Sequence, residues 1–296
     1  MKILFVSIVG RPNVGKSTLL NQILDYDLAI VNKKPQATRN VITGILNTED
    51  NYQIIFSDTP GIHKPISKYG DNLNKEALNS LKEIDLAAFL TPANEEISTG
   101  DIFIIDHLKN TKNKIAIITK VDLENKTEIL KAKADKLREL GFKDIFAISK
   151  KDNTSITKLI DVLKSFAYEG EQQYDSEIFT DINQRFMAKE IIREVAMNHL
   201  DQELPYSILV DIDQFSETDN EFGDQSFIEI RSTIYVNKES QKGIVIGKNG
   251  KLIKLIGEEA RKAISERFSV KTKLFLNVKV KKNWVNNEEF INKMGL

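Results

Sequence analysis

The sequence predicts two domains in series: an α/β domain with a mostly parallel sheet covered by helices on both faces, then a smaller α+β domain. Three observations lead there. The 296 residues match about two domains of ordinary size, each large enough to bury a core. Over the first half of the chain, continuous apolar runs alternate with stretches of helical period, as expected of strands buried on both sides. Beyond the polar stretch Glu169–Ile178 the pattern changes to one helical period, two adjacent apolar runs, two more helical stretches and a last apolar run.

Each element has its own signal. Strands are predicted at Leu4–Val9, Tyr52–Ser57, Leu86–Leu90, Ile115–Thr119 and Ile145–Ser149, where apolar residues run without interruption. Helices are predicted at Lys16–Leu24, Ile129–Leu140 and Ile156–Phe166. The opening Met1–Val9 has the basic residue and apolar run of a signal peptide. It is short, however, and Gly10-Arg11-Pro12 interrupts it, so a strand entering a turn fits better. Gly170 and its polar neighbours break the pattern, which sets the domains at residues 1–170 and 179–296 with a linker at 171–178. In the second domain Ile191, Ile192, Val195, Ala196 and Leu200 recur at helical spacing. Strands follow at Leu204–Ile212 and Phe227–Val236, then a helix, a Gly-rich turn, a helix at Lys251–Phe268 and a strand at Leu274–Val280. The order is α-β-β-α-α-β.

Composition removes several classes of function. With no Cys, disulfide frameworks, thiolate-bound zinc, iron–sulfur centres and thiol catalysis are excluded. Three His leave little for a His-rich metal site. No apolar run reaches the roughly 18 residues that span a bilayer, and a cytosolic protein is expected. The net charge of −1 conceals an asymmetry: Gln241–Trp284 holds 12 Lys/Arg against 3 Asp/Glu. Such a cluster in an otherwise acidic chain points to a face for a polyanion, with a solvated helix surface as the alternative.

Four motifs carry chemistry. Gly10-Arg11-Pro12-Asn13-Val14-Gly15-Lys16-Ser17 fits G-x-x-x-x-G-K-[ST] between a strand and a helix, the context that a phosphate-binding loop requires. Its backbone N–H groups and the helix N-terminus suit phosphates, Lys16 the β/γ-phosphates and the Ser17 hydroxyl Mg²⁺. Asp58-Thr59-Pro60-Gly61 ends the next strand. An acid there suits the Mg²⁺ shell, and the Gly61 N–H a γ-phosphate. Thr119-Lys120-Val121-Asp122 ends a further strand. A carboxylate at Asp122 accepts paired N–H bonds from guanine, the Lys120 stem covers the base, and Ser149 belongs to a base-contacting loop; alternatively Asp122 only caps a helix. Lastly, Gly247-Lys248-Asn249-Gly250 lies between two helices. Such a turn clamps about four nucleotides of RNA through its backbone, with Lys248, Lys251 and Lys254 beside it for phosphates.

Residues 10–21 (Gly-Arg-Pro-Asn-Val-Gly-Lys-Ser-Thr-Leu-Leu-Asn) and Lys34-Pro35-Gln36 resemble the translation-factor-related GTPases, and the Era family in particular. So do Glu203–Ser207, Gly243–Lys248, Ile256–Arg261 and Val278–Trp284, so the resemblance runs from Phe5 to Trp284. It implies a P-loop GTPase domain followed by a type II KH domain, slow GTP hydrolysis, and GTP, GDP and Mg²⁺ as ligands. Carried onto this sequence, it gives Lys16, Thr38 and Gly61 as the catalytic set. Mg²⁺ would be held by Ser17, Thr38 and, through water, Asp58. Nucleotide would be bound by Gly10, Asn13, Val14, Gly15, Lys16, Ser17, Thr18, Asp58, Thr59, Pro60, Gly61, Ile62, Thr119, Lys120, Asp122, Ser149 and Lys150, and RNA by Gly247, Lys248, Asn249, Gly250, Lys251 and Lys254. It further implies the 3′ end of 16S rRNA as ligand, maturation of the small ribosomal subunit as role, and peripheral contact with the inner face of the cell membrane; a monomer is expected.

Departures from the family pattern stand at Ala37, at Thr119 where an Asn is usual, and at Lys150. Ile62 occupies the place of a water-orienting Gln, and His63 is left out of the catalytic set. Trp284 either stacks a base or is an exposed anchor against the last helix. Two rivals remain at this point. A P-loop ATPase or kinase would leave Asp122 and the second domain unexplained. An RNA-binding module with a degenerate nucleotide site would explain Ala37, Thr119 and Lys150, against the intact Lys16, Ser17, Thr38 and Asp58.

Overall fold

The computed structural model describes residues 1–32, 34, 37–65, 67–124, 126–219 and 225–296. The chain forms two compact units, Met1–Ile66 with Gly70–Asp181, and Ser67–Tyr69 with Ile182–Leu296. Pro35 and Gln36 lie outside the described residues.

The first unit is built on a seven-stranded sheet. In chain order it runs β1 (Lys2–Gly10), α1 (Lys16–Leu24), β2 (Ile42–Asn47), β3 (Tyr52–Asp58), α2 (Lys68–Asn79), β4 (Leu86–Pro92), α3 (Thr99–His107), β5 (Lys114–Thr119), α4 (Thr127–Glu139), β6 (Asp144–Ala147), α5 (Asn153–Lys164) and β7 (Tyr168–Glu169). The strand order is β2-β3-β1-β4-β5-β6, with β7 paired to the start of β1. All pairings are parallel except β2–β3 and β1–β7. Parallel strands buried on both faces need the continuous apolar runs seen in β1, β3, β4 and β5. Register then decides where function can sit. Ile8 pairs with Asp58, Gly10 with Leu90, and Pro92 with Thr119. The carboxyl ends of β3, β1, β4 and β5 therefore open on one side, the side where open α/β sheets hold ligands.

Sequence reading missed β2, α2, α3 and β7. In α3, Ser98 accepts from the Asp101 N–H while the Asp101 carboxylate accepts from the Ser98 N–H, a capping box hidden in a polar stretch. The last predicted strand of this unit ends at Ala147 rather than Ser149, because the chain turns there: Ile148 O accepts from Val121 N. The segment read as a linker is held against the open edge of β2. Gln53 and Asn47 donate to the carbonyls of Tyr174, Ser176 and Ile178, Ile45 N donates to Phe179 O, and Thr180 Oγ1 donates to Thr43 O.

The second unit contains α6 (Gln184–His199), α7 (Leu204–Ser207), β8 (Leu209–Asp219), β9 (Gln225–Val236), α8 (Glu239–Ile246), α9 (Lys251–Phe268), β10 (Thr272–Val280) and α10 (Glu288–Lys293). Its sheet has the order β10-β9-β8, with β8–β9 antiparallel and β10–β9 parallel. One face packs under α6, α8 and α9 through a core including Ile192, Ala196, Ile230, Ile234, Val245, Ile256 and Ala260. The strand predicted at Leu204–Ile212 is corrected: Leu204–Ser207 is a helical turn with Pro205 at its start, where a fixed φ and a missing N–H suit a helix. Trp284 is corrected too. It is fully buried and its Nε1 donates to Ser207 O at 2.9 Å, so it neither stacks a base nor lies exposed against the last helix.

Trp284→Ala is expected to destabilise the second unit by about 3–5 kcal/mol, through a large cavity and an unmatched Ser207 carbonyl. Trp284→Phe should cost less, since most of the volume remains. Urea unfolding of the full chain, followed by amide exchange within Ile182–Leu296, separates the two.

Candidate nucleotide and RNA sites

A cavity of about 560 Å³ opens at the carboxyl ends of these strands, lined at one end by Lys16, Ser17 and Thr38 and at the other by Lys120, Asp122 and Lys150. The loop Gly10–Gly15 leaves β1 and delivers Lys16 and Ser17 as the first residues of α1. The Lys16 ammonium is buried and donates to Gly10 O at 3.2 Å and Arg11 O at 3.1 Å. Burial lowers its pKa to about 8, against the pull of Asp58. Arg11 anchors the same loop from outside, donating to Asp101 at 2.9 Å and Glu95 at 2.7 Å.

Three oxygens meet beside Lys16. Ser17 Oγ donates to Asp58 Oδ2 at 2.7 Å and lies 2.8 Å from Thr38 Oγ1, which is 3.4 Å from the same carboxylate oxygen. Asp58 is fully buried, which raises its pKa to about 6 although Lys16, Ser17 and Thr38 all oppose that shift. Its Oδ1 has no hydrogen-bond partner. Hard oxygen donors with one bare carboxylate oxygen fit Mg²⁺, which is bound by few protein oxygens and keeps several waters. Among the described residues no cluster of three or more His, Cys, Asp or Glu forms another metal-binding group.

The loop after Asp58 closes on the phosphate loop. Thr59 Oγ1 donates to Ile8 O at 2.8 Å, and Ile62 N donates to Gly10 O at 3.3 Å. Gly61 lies so near Pro12 that an added Cβ would sit 2.6 Å from the Pro12 backbone. Pro60 and Ile62 flank it, and Ile62 is packed into the core under the sheet. The His63 ring lies 3.0 Å from Gly61 O, and Asn74 brackets the His63 backbone.

At the far end, Asp122 sits in a helical turn at Val121–Leu123, with its carboxylate accepting from Ser149 Oγ at 3.0 Å. Gln22 of α1 donates to Lys150 O, tying this loop to the phosphate side. Thr119 lines the cavity, and its hydroxyl is buried and donates to Val14 O at 2.5 Å. It braces the phosphate loop. Gly10, Asn13, Val14, Gly15 and Thr18 thus surround the same cavity or its floor. Sequence reading missed the apolar walls Val31 and Leu123, which line the cavity and are exposed. It also missed Asn21, whose amide exchanges hydrogen bonds with Ala29 and holds the chain there beside α1. A Leu next to Asp122, the candidate base contact, was the available signal for Leu123.

In the second unit, Gly247–Gly250 joins α8 to α9. Gly247 has φ +73°, and an added Cβ would sit 2.7 Å from the Leu252 side chain, so only glycine fits. Asn249 also has positive φ. Lys248, Asn249, Lys251 and Lys254 are exposed around this turn, with Lys254 3.8 Å from Glu258. Ile244 and Leu255 stand exposed beside them, an apolar floor that the charge pattern did not reveal.

A phosphate loop on a parallel sheet, an Asp at the base end and a glycine turn in an α-β-β-α-α-β unit define a P-loop GTPase domain joined to a KH domain. Residues 5–120 match the 50S ribosome-binding GTPase family and residues 203–285 the KH domain family. The chain is 60% identical to GTPase Era of Mycoplasmopsis pulmonis over 99% of both chains, and 49% identical to GTPase Era of Mycoplasmopsis agalactiae over 100% of this chain and 99% of that one. A solved structure of Era in complex with MgGDPNP and nucleotides 1506-1542 of 16S ribosomal RNA matches with TM-score 0.93 and 32% identity, covering 100% of this chain and 99% of that one. The chain belongs to the Era GTPase family.

Two outcomes are expected. Thr119→Val strands the Val14 carbonyl, at a cost of about 1–3 kcal/mol; GDP affinity measured by calorimetry should fall about tenfold, with Thr119→Ser close to wild type. The second is a pH effect. Because the folded pKa of Asp58 (about 6) exceeds the ordinary 3.8, its contribution to the stability of the ligand-free protein is present below the ordinary value and is lost as pH rises through about 6. Mg²⁺ needs the ionised form, so Mg²⁺-dependent GDP affinity should rise over that same window. Fluorescent-GDP titrations at pH 5 and 7.5 check it, and Asp58→Asn should remove the dependence.

Proposed function

We propose that this chain binds and hydrolyses GTP with Mg²⁺ and binds RNA through its KH domain. By likeness to the Era complex, the RNA is the 3′ end of 16S rRNA and the role is small-subunit maturation. The observation that carries the reading is the meeting of Lys16, Ser17, Thr38 and Asp58 at one end of a single cavity whose other end presents Asp122. The functional division follows the sequence: nucleotide in residues 1–170, a connection at 171–178, and RNA in residues 179–296.

The geometry supports a role for each group. Backbone N–H groups of residues 13–18 and the start of α1 hold the β-phosphate. Lys16 exchanges its two carbonyl partners for phosphate oxygens, which restores a full positive charge to a buried ammonium. Ser17, Thr38 and, through water, Asp58 would hold Mg²⁺, which when bound offsets charge on the phosphates. The Gly61 N–H faces the γ-phosphate end. Ile62, which stands in the place of a water-orienting Gln, is buried in the core, and this fits slow intrinsic hydrolysis. Asp122, held by Ser149, reads guanine, while Lys120 and Leu123 cover its faces. Lys248, Lys251 and Lys254 neutralise RNA phosphates while Gly247 and Gly250 let the backbone approach. The family likeness also supports a monomer with peripheral contact at the inner membrane face; among the described residues no helix is long and apolar enough to cross a membrane. Size-exclusion chromatography and vesicle flotation test those two points.

Single-turnover assays with GTP and ATP separate this reading from an ATPase or a degenerate site. Asp122→Asn should shift preference from guanosine to xanthosine nucleotides by at least about tenfold, since an amide N–H satisfies the C2 carbonyl of xanthine. Unchanged GTP affinity with no gain for XTP would remove Asp122 from the base site.

A further inference from the structure

The KH sheet has a second face, turned away from α6, α8 and α9. On β10 the residues Leu274, Leu276, Val278 and Val280 enter the core, so Lys273, Phe275, Asn277 and Lys279 point outward, and all four are exposed. Their cross-strand partners on β9 are Glu229, Arg231, Thr233 and Tyr235. Phe275 is 47% exposed, a high value for a ring in the middle of a strand. The Arg231 guanidinium lies 4.6 Å from the centre of that ring and Lys273 Nζ 4.0 Å from the Phe227 ring. The one acid among these outward residues of β9 and β10, Glu229, is paired with Arg231 at 2.9 Å. Neither Lys273 nor Lys279 meets an acidic partner among the described residues. On β8, next to β9, Asp213 accepts from Thr233 Oγ1 at 2.7 Å and Asp211 is the cross-strand partner of Thr233, so these two carboxylates lie toward the β8 side of the same face. Along β10 the strip is therefore positive and aromatic, with the acids set toward β9 and β8.

We propose that this strip is a second surface for single-stranded RNA, separate from the glycine turn. The inference rests on the RNA-binding reading of the domain and extends it. Charge and chemistry select the occupant. Base rings stack on an aromatic ring or an arginine plane without regard to sequence, and lysines spaced along a strand follow a phosphate backbone. Phe275 and Arg231 provide the stacking plane, and Lys273 and Lys279, six residues apart on one face of β10, provide the phosphate contacts. A strand leaving the glycine turn would thus have a second place to bind.

The test uses the full chain with GDP and two uridine-rich RNAs, one of about four nucleotides, enough to fill a KH groove, and one of about 16. Phe275→Ala and the charge variant Lys273→Gln with Lys279→Gln should each weaken binding of the longer RNA about tenfold and leave the shorter unchanged. The charge variant should also flatten the log–log salt dependence, by roughly 0.7 for each lost phosphate contact. Both variants must melt as wild type does; the charge pair removes no core atoms and stands if Phe275→Ala is unstable. Lys248→Asp with Asn249→Asp, at the glycine turn, should weaken both RNAs. Longer-RNA affinity unchanged in the strand variants, with loss at the glycine turn, overturns this inference and leaves the KH reading intact. If wild type binds neither RNA, both fall. Loss in the strand variants alone supports the strip and overturns the glycine turn as the RNA site.

Discussion

The hydrogen bond from Ser17 to Asp58 joins the two strand ends on which the nucleotide site depends. Asp58 terminates β3 and Ser17 opens α1, and their contact requires β1 and β3 to lie side by side in the register that sets Ile8 against Asp58. A shift of one residue would turn the carboxylate to the other face of the sheet. The cost is a buried carboxylate with one unsatisfied oxygen, which the fold tolerates because Lys16 lies close by and because the ordinary apolar core of the sheet stabilises the rest. Such a group is what a fold optimised for stability alone would replace. Its retention places the strain where phosphate and metal complete the charges.

The bracing around that pair has a common plan: the loops are held by side chains that never reach the cavity centre. Thr119 holds Val14, Asn21 holds Ala29, Arg11 reaches Asp101 and Glu95, and Lys133 donates to the carbonyls of Pro92 and Glu95. All but the local Asn21–Ala29 contact join segments far apart in sequence. Together they fix loop backbones whose N–H groups must be aimed before a ligand arrives, and preorganised donors are what make phosphate binding strong in a water-poor site.

Much of this was legible. The strands buried on both faces announced themselves as apolar runs, and the phosphate loop, Asp58, Asp122 and the glycine turn carried residue types that few other roles require. The elements that escaped, β2, α2 and α3, are half-polar. In α2 only Tyr69, Leu73 and Ala77 mark the buried face, spaced by four among polar residues, and α3 owes its start to a reciprocal cap between Ser98 and Asp101 that tertiary packing makes worthwhile. The motif position of Thr119 suggests a nucleotide contact, but its hydrogen bond to Val14, 105 residues earlier, has no local signal. Trp284 misled for a related reason. A tryptophan amid lysines looks like a stacking residue until its partner, a carbonyl 77 positions earlier, comes into view. Pairings between distant residues leave no trace in local pattern.

The segment at 171–180, hydrogen-bonded along β2, has a consequence for how the protein behaves outside its folded function. β2 is a terminal strand of the large sheet, and an uncovered edge offers a row of free amides and carbonyls to any other chain. Here Ile45 and Thr43 already have partners from the chain itself. The connection between the domains is thus also a guard against intermolecular strand pairing. Its length and side chains answer to two demands at once, and replacing it with a featureless flexible tether would satisfy only the one that concerns reach.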